Sequence, residues 1–202
     1  GLAMAIRGLP IPVIAMVNGW CMGGGHELAL WCDLVIASEN AVLGQTGAKV
    51  GACPTVGATQ YIPRIIGERL AREMIFCARR FGAKEAAEVG LINKCVPQKD
   101  LRAETLKWCE TMKGHSALTI RMTKKSLNFE SDNLYSSWQQ GMELLAHVWG
   151  SPEANEGMDA FLAGRKPNFQ KFRMQAKKEL EKYVDGYERD LNAPPSMRRK
   201  KR

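Results

Sequence analysis

No uninterrupted apolar run of about 18 residues occurs in these 202 residues, so nothing in the sequence is built to cross a bilayer as a helix. Paired cysteine spacing is also missing. The six cysteines, Cys21, Cys32, Cys53, Cys77, Cys95 and Cys109, are scattered without a C-x-x-C pair. They read as reduced thiols rather than a disulfide frame or a metal site, and a cytoplasmic protein is the expectation. The three histidines and five tryptophans show no metal or cofactor spacing. Net charge is nearly absent from most of the chain. From Arg165 onward there are 13 Lys/Arg against 5 Asp/Glu, while the 164 residues before it hold 16 of each, so the tail carries the whole +8. This argues against nucleic acid as a partner of the main domain. No internal repeat is visible.

What is present concentrates between Val17 and Glu27. An apolar run over residues 12–17 ends at Asn18-Gly19. Gly23-Gly24-Gly25 follows, then His26-Glu27 and the apolar pattern Leu28-Ala29-Leu30-Trp31-Cys32. A strand thus runs into backbone without Cβ atoms and then into a helix N-terminus, where free N–H groups and the helix dipole suit an anion. The chemistry this fits is the holding of an oxyanion, with a carboxylate close by. A glycine run can also be merely a flexible loop, and Glu27 merely an acid favoured by a helix N-terminus.

Residues 33–38 read as a second strand and residues 41–47 as a third. A turn-rich loop over 48–56 precedes a helix over 58–66, punctuated by Gly67. Residues 68–79 are amphipathic, with Leu70, Met74, Ile75 and Cys77 near one side. A short helix over 83–89 closes at Gly90, and residues 91–96 form a strand stopped by Pro97. Helices are expected over 100–112, 116–128 and 134–149. Ser151-Pro152-Glu153 opens another through a cap, a proline and a first-turn acid, with Met158, Phe161 and Leu162 as its buried face. Residues 170–191 carry a stripe, Phe172, Ala176, Leu180, Tyr183, Val184, Tyr187 and Leu191. It suits docking against the same protein or a partner, ahead of a basic end at 198–202.

The order of an apolar strand, V-N-G, G-G-G, a helix, Cys32-Asp33, a strand and Leu43-Gly44-Gln45 resembles the crotonase (enoyl-CoA hydratase/isomerase) superfamily as far as about Phe169. The resemblance implies an α/β fold, a ββα spiral core with a C-terminal helical region that makes trimers or hexamers. It divides the chain into a partial spiral core (1–99), a helical oligomerisation region (100–169) and an extra helix with a basic tail (170–202). Family members carry further strands ahead of the segment matching Gly1, including one that supplies the first oxyanion N–H, so a truncated member is expected. The substrate implied is an acyl-CoA, with coenzyme A as part of the substrate and no tightly bound cofactor.

The family's roles carry over residue by residue. The middle glycine of G-G-G, which donates an N–H to the thioester oxygen, falls on Gly24, with Gly23 lining the approach of the CoA ester. The two hydratase glutamates fall on Glu27 and on Gly47, which has no acid to offer. Gln45 and Thr46 are the groups left to position water, bicarbonate or a ring oxygen, although Thr46 also suits strand packing. Arg165 or Lys166 matches the basic residue that meets a CoA phosphate. Glycine at position 47 is shared by dihydroxynaphthoyl-CoA synthases, which close a ring, and by hydrolases that open six-membered oxo-ring acyl-CoAs. Glu27, together with Pro54 where the synthases have aspartate and Val56-Gly57-Ala58-Thr59, is most similar to the 6-oxocyclohexene carbonyl-CoA hydrolases. Hydration or ring-opening hydrolysis of a cyclic acyl-CoA is therefore the first expectation and ring closure the second. A non-catalytic or RNA-associated relative, through a helix starting at Gly67, or an assembly module working through residues 170–191, represents a different class.

Overall fold

The computed structural model describes residues 1–174 together with 177, 178, 180 and 181. The chain winds as a spiral that feeds two small sheets in turn. After a short helix, α1 (Leu2–Gly8), β1 (Ile14–Val17) joins the first sheet and β2 (Trp20–Met22) the second. Helix α2 (Gly24–Leu30) leads to β3 (Leu34–Ser38), parallel to β1 with Ile14 opposite Leu34, and β4 (Val42–Gly44), parallel to β2 with Trp20 opposite Val42. Further on, β5 (Arg80–Gly82) pairs antiparallel to β4, and β6 (Lys94–Val96) pairs parallel to β3. The parallel strands are short and apolar, as strands covered on both faces must be. Ile36, Ala37, Leu43 and Phe81 are buried at their centre.

Helices fill the rest. A single turn, α3 (Gly47–Val50), interrupts the segment that the sequence presents as a loop. Then come α4 (Ala58–Ile66), α5 (Glu68–Phe76), α6 (Ala83–Glu88), α7 (Leu101–Lys113), α8 (Ala117–Asp132), α9 (Tyr135–Val148) and α10 (Pro152–Leu162). The Ser151 hydroxyl caps α10 by accepting Ala154 N–H at 3.1 Å. Ile62, Ala71 and Met74 bring α4 and α5 onto the buried strand residues.

The face of α10 differs from the expectation. Met158, Phe161 and Leu162 are 40%, 72% and 83% exposed, and the buried residues are Ala154, Gly157 and Ala160. The reason is backbone proximity. A Cβ on Gly157 would lie 2.4 Å from the Val50 carbonyl, so only small residues let α10 reach α3. The amphipathic stretch after Gly67 also ends sooner than its pattern suggests, because residues 80–82 are taken by β5. Most of the 170–191 stripe and all of the basic end fall outside the described residues.

Two cations, buried Lys124 and half-buried Arg7, tie the ends of the fold together. Lys124 Nζ on α8 donates to Asp33 Oδ2 at 2.7 Å, Ile11 O at 2.9 Å and Ile6 O at 3.2 Å, while Asp33 Oδ2 also accepts Val13 N–H at 2.7 Å. Arg7 on α1 donates to Tyr61 Oη at 3.0 Å and to Asp132 Oδ1 at 2.8 Å, with its guanidinium 5.7 Å from the Trp31 ring centre. Together they hold α1 against α4 and α8.

Candidate active site

The glycine turn is built as its sequence suggests. Gly23 has φ 53° and ψ −122°, a conformation that only glycine adopts readily. Its N–H donates to Gly44 O at 3.0 Å, which ties the turn to the end of β4. Gly24 opens α2, where its N–H has no carbonyl a turn earlier to accept it. A Cβ on Gly24 would meet nothing within 4 Å, so the side-chain face of that residue is open.

Glu27 stands one helical turn on, the spacing that puts two residues on one helix face. Gly24 and Glu27 line a common cavity of about 270 Å³, walled by Leu28, Trp31 and Trp138 and on one side by α1. Glu27 is only 6% exposed. Burial raises its carboxyl above the usual carboxylate range, opposed by hydrogen bonds from the Val56 and Ala58 backbone. The Val56 N–H reaches Oε1 at 2.7 Å. These donors sit at the start of α4, so Glu27 is also favoured by that helix's dipole. A carboxyl in an apolar pocket, held by few bonds and with a raised affinity for protons, is suited to acid–base work.

The remaining expected residues lie elsewhere. Gln45 is 1% exposed and its amide Nε2 lies 3.2 Å from His26 Nδ1, so it supports the turn from behind and does not line the cavity. His26 is equally buried. Burial lowers its imidazole to about 4, with the Gly44 backbone opposing, so it is neutral at pH 7. Thr46 Oγ1 lies 3.8 Å from where a Gly23 Cβ would stand, which places it against the glycine turn. At Gly47 the chain is closed to any side chain: a Cβ would lie 2.4 Å from Ala52 O and 3.3 Å from Pro54 Cδ. Arg165 is engaged by Glu156, with Nη1 to Oε1 at 2.7 Å and Nη2 to Oε2 at 3.2 Å. That pairing, with Asn168 N–H, holds the Glu156 carboxyl down at about 2. Lys166 is exposed beside it. Neither Arg165 nor Lys166 lines the Gly24–Glu27 cavity.

The sequence reading passed over Trp31 and Trp138, the aromatic walls, and α1. For Trp31 a signal existed, since it lies four residues after Glu27. Trp138 and the residues of α1 are brought in only by tertiary packing. Among the described residues no group of three or more His, Cys, Asp or Glu could hold a metal ion, and no helix is long and apolar enough to cross a membrane.

The sequence profile of the enoyl-CoA hydratase/isomerase family matches residues 1–173. The chain belongs to that family. Its crotonase fold is shared with solved structures. An enoyl-CoA hydratase from Mycobacterium avium subsp. paratuberculosis K-10 is 32% identical over 83% of this chain and 68% of its own, with a TM-score of 0.79. A carnitinyl-CoA hydratase from Mycobacterium avium is 30% identical over 79% of this chain and 63% of its own, with a TM-score of 0.76. A methylmalonyl-CoA decarboxylase, solved with 2-nitronate-propionyl-CoA, is 29% identical over 83% of this chain and 66% of its own, with a TM-score of 0.74. The chain therefore spans about two thirds of the length of the structures it matches.

Proposed function

We propose that this protein acts on an acyl-CoA thioester through its enolate, adding water to a cyclic enoyl-CoA or opening the ring of a cyclic oxoacyl-CoA. The observation that carries the reading is Glu27, a buried carboxyl with raised proton affinity, sharing an apolar cavity with Gly24 at the N-terminus of α2. In hydration, Glu27 takes a proton from water as the water oxygen bonds to the β-carbon. The alkene electron pair moves toward the thioester oxygen, where Gly24 N–H receives the developing charge. Glu27 then returns the proton to the α-carbon. Two relatives with hydratase in their names, and a decarboxylase bound to a CoA ester, support acyl-CoA as the substrate class. The aromatic wall Trp138 supports a ring-sized acyl group.

A ring-closing synthase is the second reading. The closure of position 47 by Ala52 favours it as much as the first, since both branches of the superfamily place glycine there. The RNA-associated alternative gains little, because Arg72 on α5 is paired with Glu68 at 2.9 Å. Coenzyme A enters as part of the substrate, with Lys166 the more available of the two candidate phosphate contacts. Exposed Phe129, Trp149, Phe161 and Leu162 on the C-terminal helices support a homotrimer or hexamer. The scattered unpaired cysteines support a cytoplasmic setting.

The test is turnover of cyclohex-1-ene-1-carbonyl-CoA by the full-length protein with and without bicarbonate. Glu27→Gln should lower turnover by roughly 10²–10⁴ at unchanged CoA-ester affinity, whatever the bicarbonate concentration. Bicarbonate-dependent ring closure of a suitable aryl-CoA, with little loss in Glu27→Gln, would replace the first reading with the second.

A further inference from the structure

Glu27 is held by a segment that is itself held. Val56 donates its N–H to Glu27 Oε1 at 2.7 Å, and its carbonyl accepts Trp31 Nε1–H at 2.9 Å. One residue is thus gripped on both backbone groups by side chains four positions apart on one face of α2. The next residue, Gly57, has φ 98°, and a Cβ there would lie 2.9 Å from Trp31 Nε1 and 3.0 Å from its Cε2. The chain therefore passes directly over the indole before starting α4, with Gly57 as the residue that permits contact.

The indole cannot shift easily. Trp31 is 7% exposed. It meets Tyr61 edge-on at 5.1 Å and Trp138 at 6.1 Å, and Arg7 covers it from α1. A side chain this confined, with a single donor used on one carbonyl, is suited to fix a loop rather than to move with a substrate.

We propose that Trp31 is a positioning residue for Glu27: its indole N–H pins the Val56 carbonyl, and the pinned segment aims the Val56 and Ala58 N–H groups at the carboxyl beside Gly24. This rests on the reading of Glu27 as the acid–base group. Loosening the segment lets the carboxyl swing and weakens the donors that favour its ionised form. The rate of proton transfer then falls while the binding of the CoA ester is unaffected. The proton affinity of Glu27 rises further, because the bonds lost are those that lower it.

The experiment uses cyclohex-1-ene-1-carbonyl-CoA and three forms of the full-length protein besides wild type: Trp31→Phe, site-specific β-(3-benzothienyl)alanine at position 31, and Glu27→Gln. The benzothienyl side chain keeps the indole's shape and lacks its donor, so it decides the outcome if Trp31→Phe does not fold. Both position-31 forms should lose roughly 10- to 100-fold in kcat with KM within about threefold of wild type. The acidic limb of the kcat–pH profile should move to higher pH. Wild-type kcat and an unmoved limb in the benzothienyl form, with Glu27→Gln still impaired, overturn the positioning role and leave the acid–base reading standing. A raised KM at unchanged kcat makes Trp31 a substrate wall and also overturns it. Wild-type turnover by Glu27→Gln overturns both.

Discussion

Placing a glutamate at position 47 by Gly47→Glu tests whether the fold leaves room there for a side chain. The Cβ that any substitution adds would stand 2.4 Å from Ala52 O and 3.1 Å from Ala52 C, well inside contact distance. Retreat is blocked. Ala52 N–H donates to Gly47 O at 2.9 Å, so the opposing loop is bonded to the substituted residue itself. Behind it, a Cβ on Gly51 would lie 2.7 Å from Ala154 Cα, so the loop already touches α10. Overpacking with a backbone shift costs about 1–3 kcal/mol, and loss of the Ala52–Gly47 hydrogen bond about 1 kcal/mol more. For a chain of this length the sum lowers Tm by roughly 5–15 °C. Thermal unfolding of Gly47→Ala and Gly47→Glu should show similar losses, since the Cβ causes them. Hydration of crotonyl-CoA by Gly47→Glu should not rise above wild type. A Gly47→Glu protein that melts within about 2 °C of wild type and gains crotonyl-CoA hydration would refute this reasoning.

Other consequences concern the buried groups around the site. His26 is held at about 4, below the ordinary 6.5, so the unfolded chain binds a proton that the folded one refuses. Stability should therefore fall as pH drops from 6.5 toward 4. The difference between wild type and His26→Asn in urea unfolding should shrink by about 2 kcal/mol from pH 7 to pH 5. Glu27, shifted the opposite way, is common to both proteins and cancels, so a pH-independent difference would contradict the assignment. Lys124→Met removes the cation that joins Asp33 to two carbonyls. It should cost about 2 kcal/mol in the same assay, the scale of lost hydrogen bonds from a charged group, since Asp33 keeps access to water, and a loss under about 0.5 kcal/mol would show the contact to be dispensable.

Much of this architecture can be read before any coordinates. Gly67 ends α4, and Ser151-Pro152 starts α10, because caps and breakers act locally. Gly23 through Glu27 declares its turn because only glycine takes the backbone conformation seen at Gly23. Other features resist such reading. The face of α10 depends on how near α3 comes, and that closeness selects Gly157 over Phe161. Strand β5 is three residues long, too short for its single in-and-out alternation to stand out in the sequence. The partners of Glu27 come from Val56, 29 residues away, through backbone groups that every residue type carries. The departure at Gly47 is visible in the sequence, but its steric cause is the carbonyl of Ala52.

The central claim is that Gly24 and Glu27 stabilise and protonate a thioester enolate. Its most direct measurement is deuterium incorporation at the α-carbon of cyclohexanecarbonyl-CoA in D₂O, followed by NMR, with the full-length protein. This substrate has no alkene or oxo group to react, so exchange reports enolate formation alone. The account expects exchange with wild type and little or none with Glu27→Gln. Equal exchange in both proteins, or none with wild type that turns over an enoyl-CoA, would contradict it.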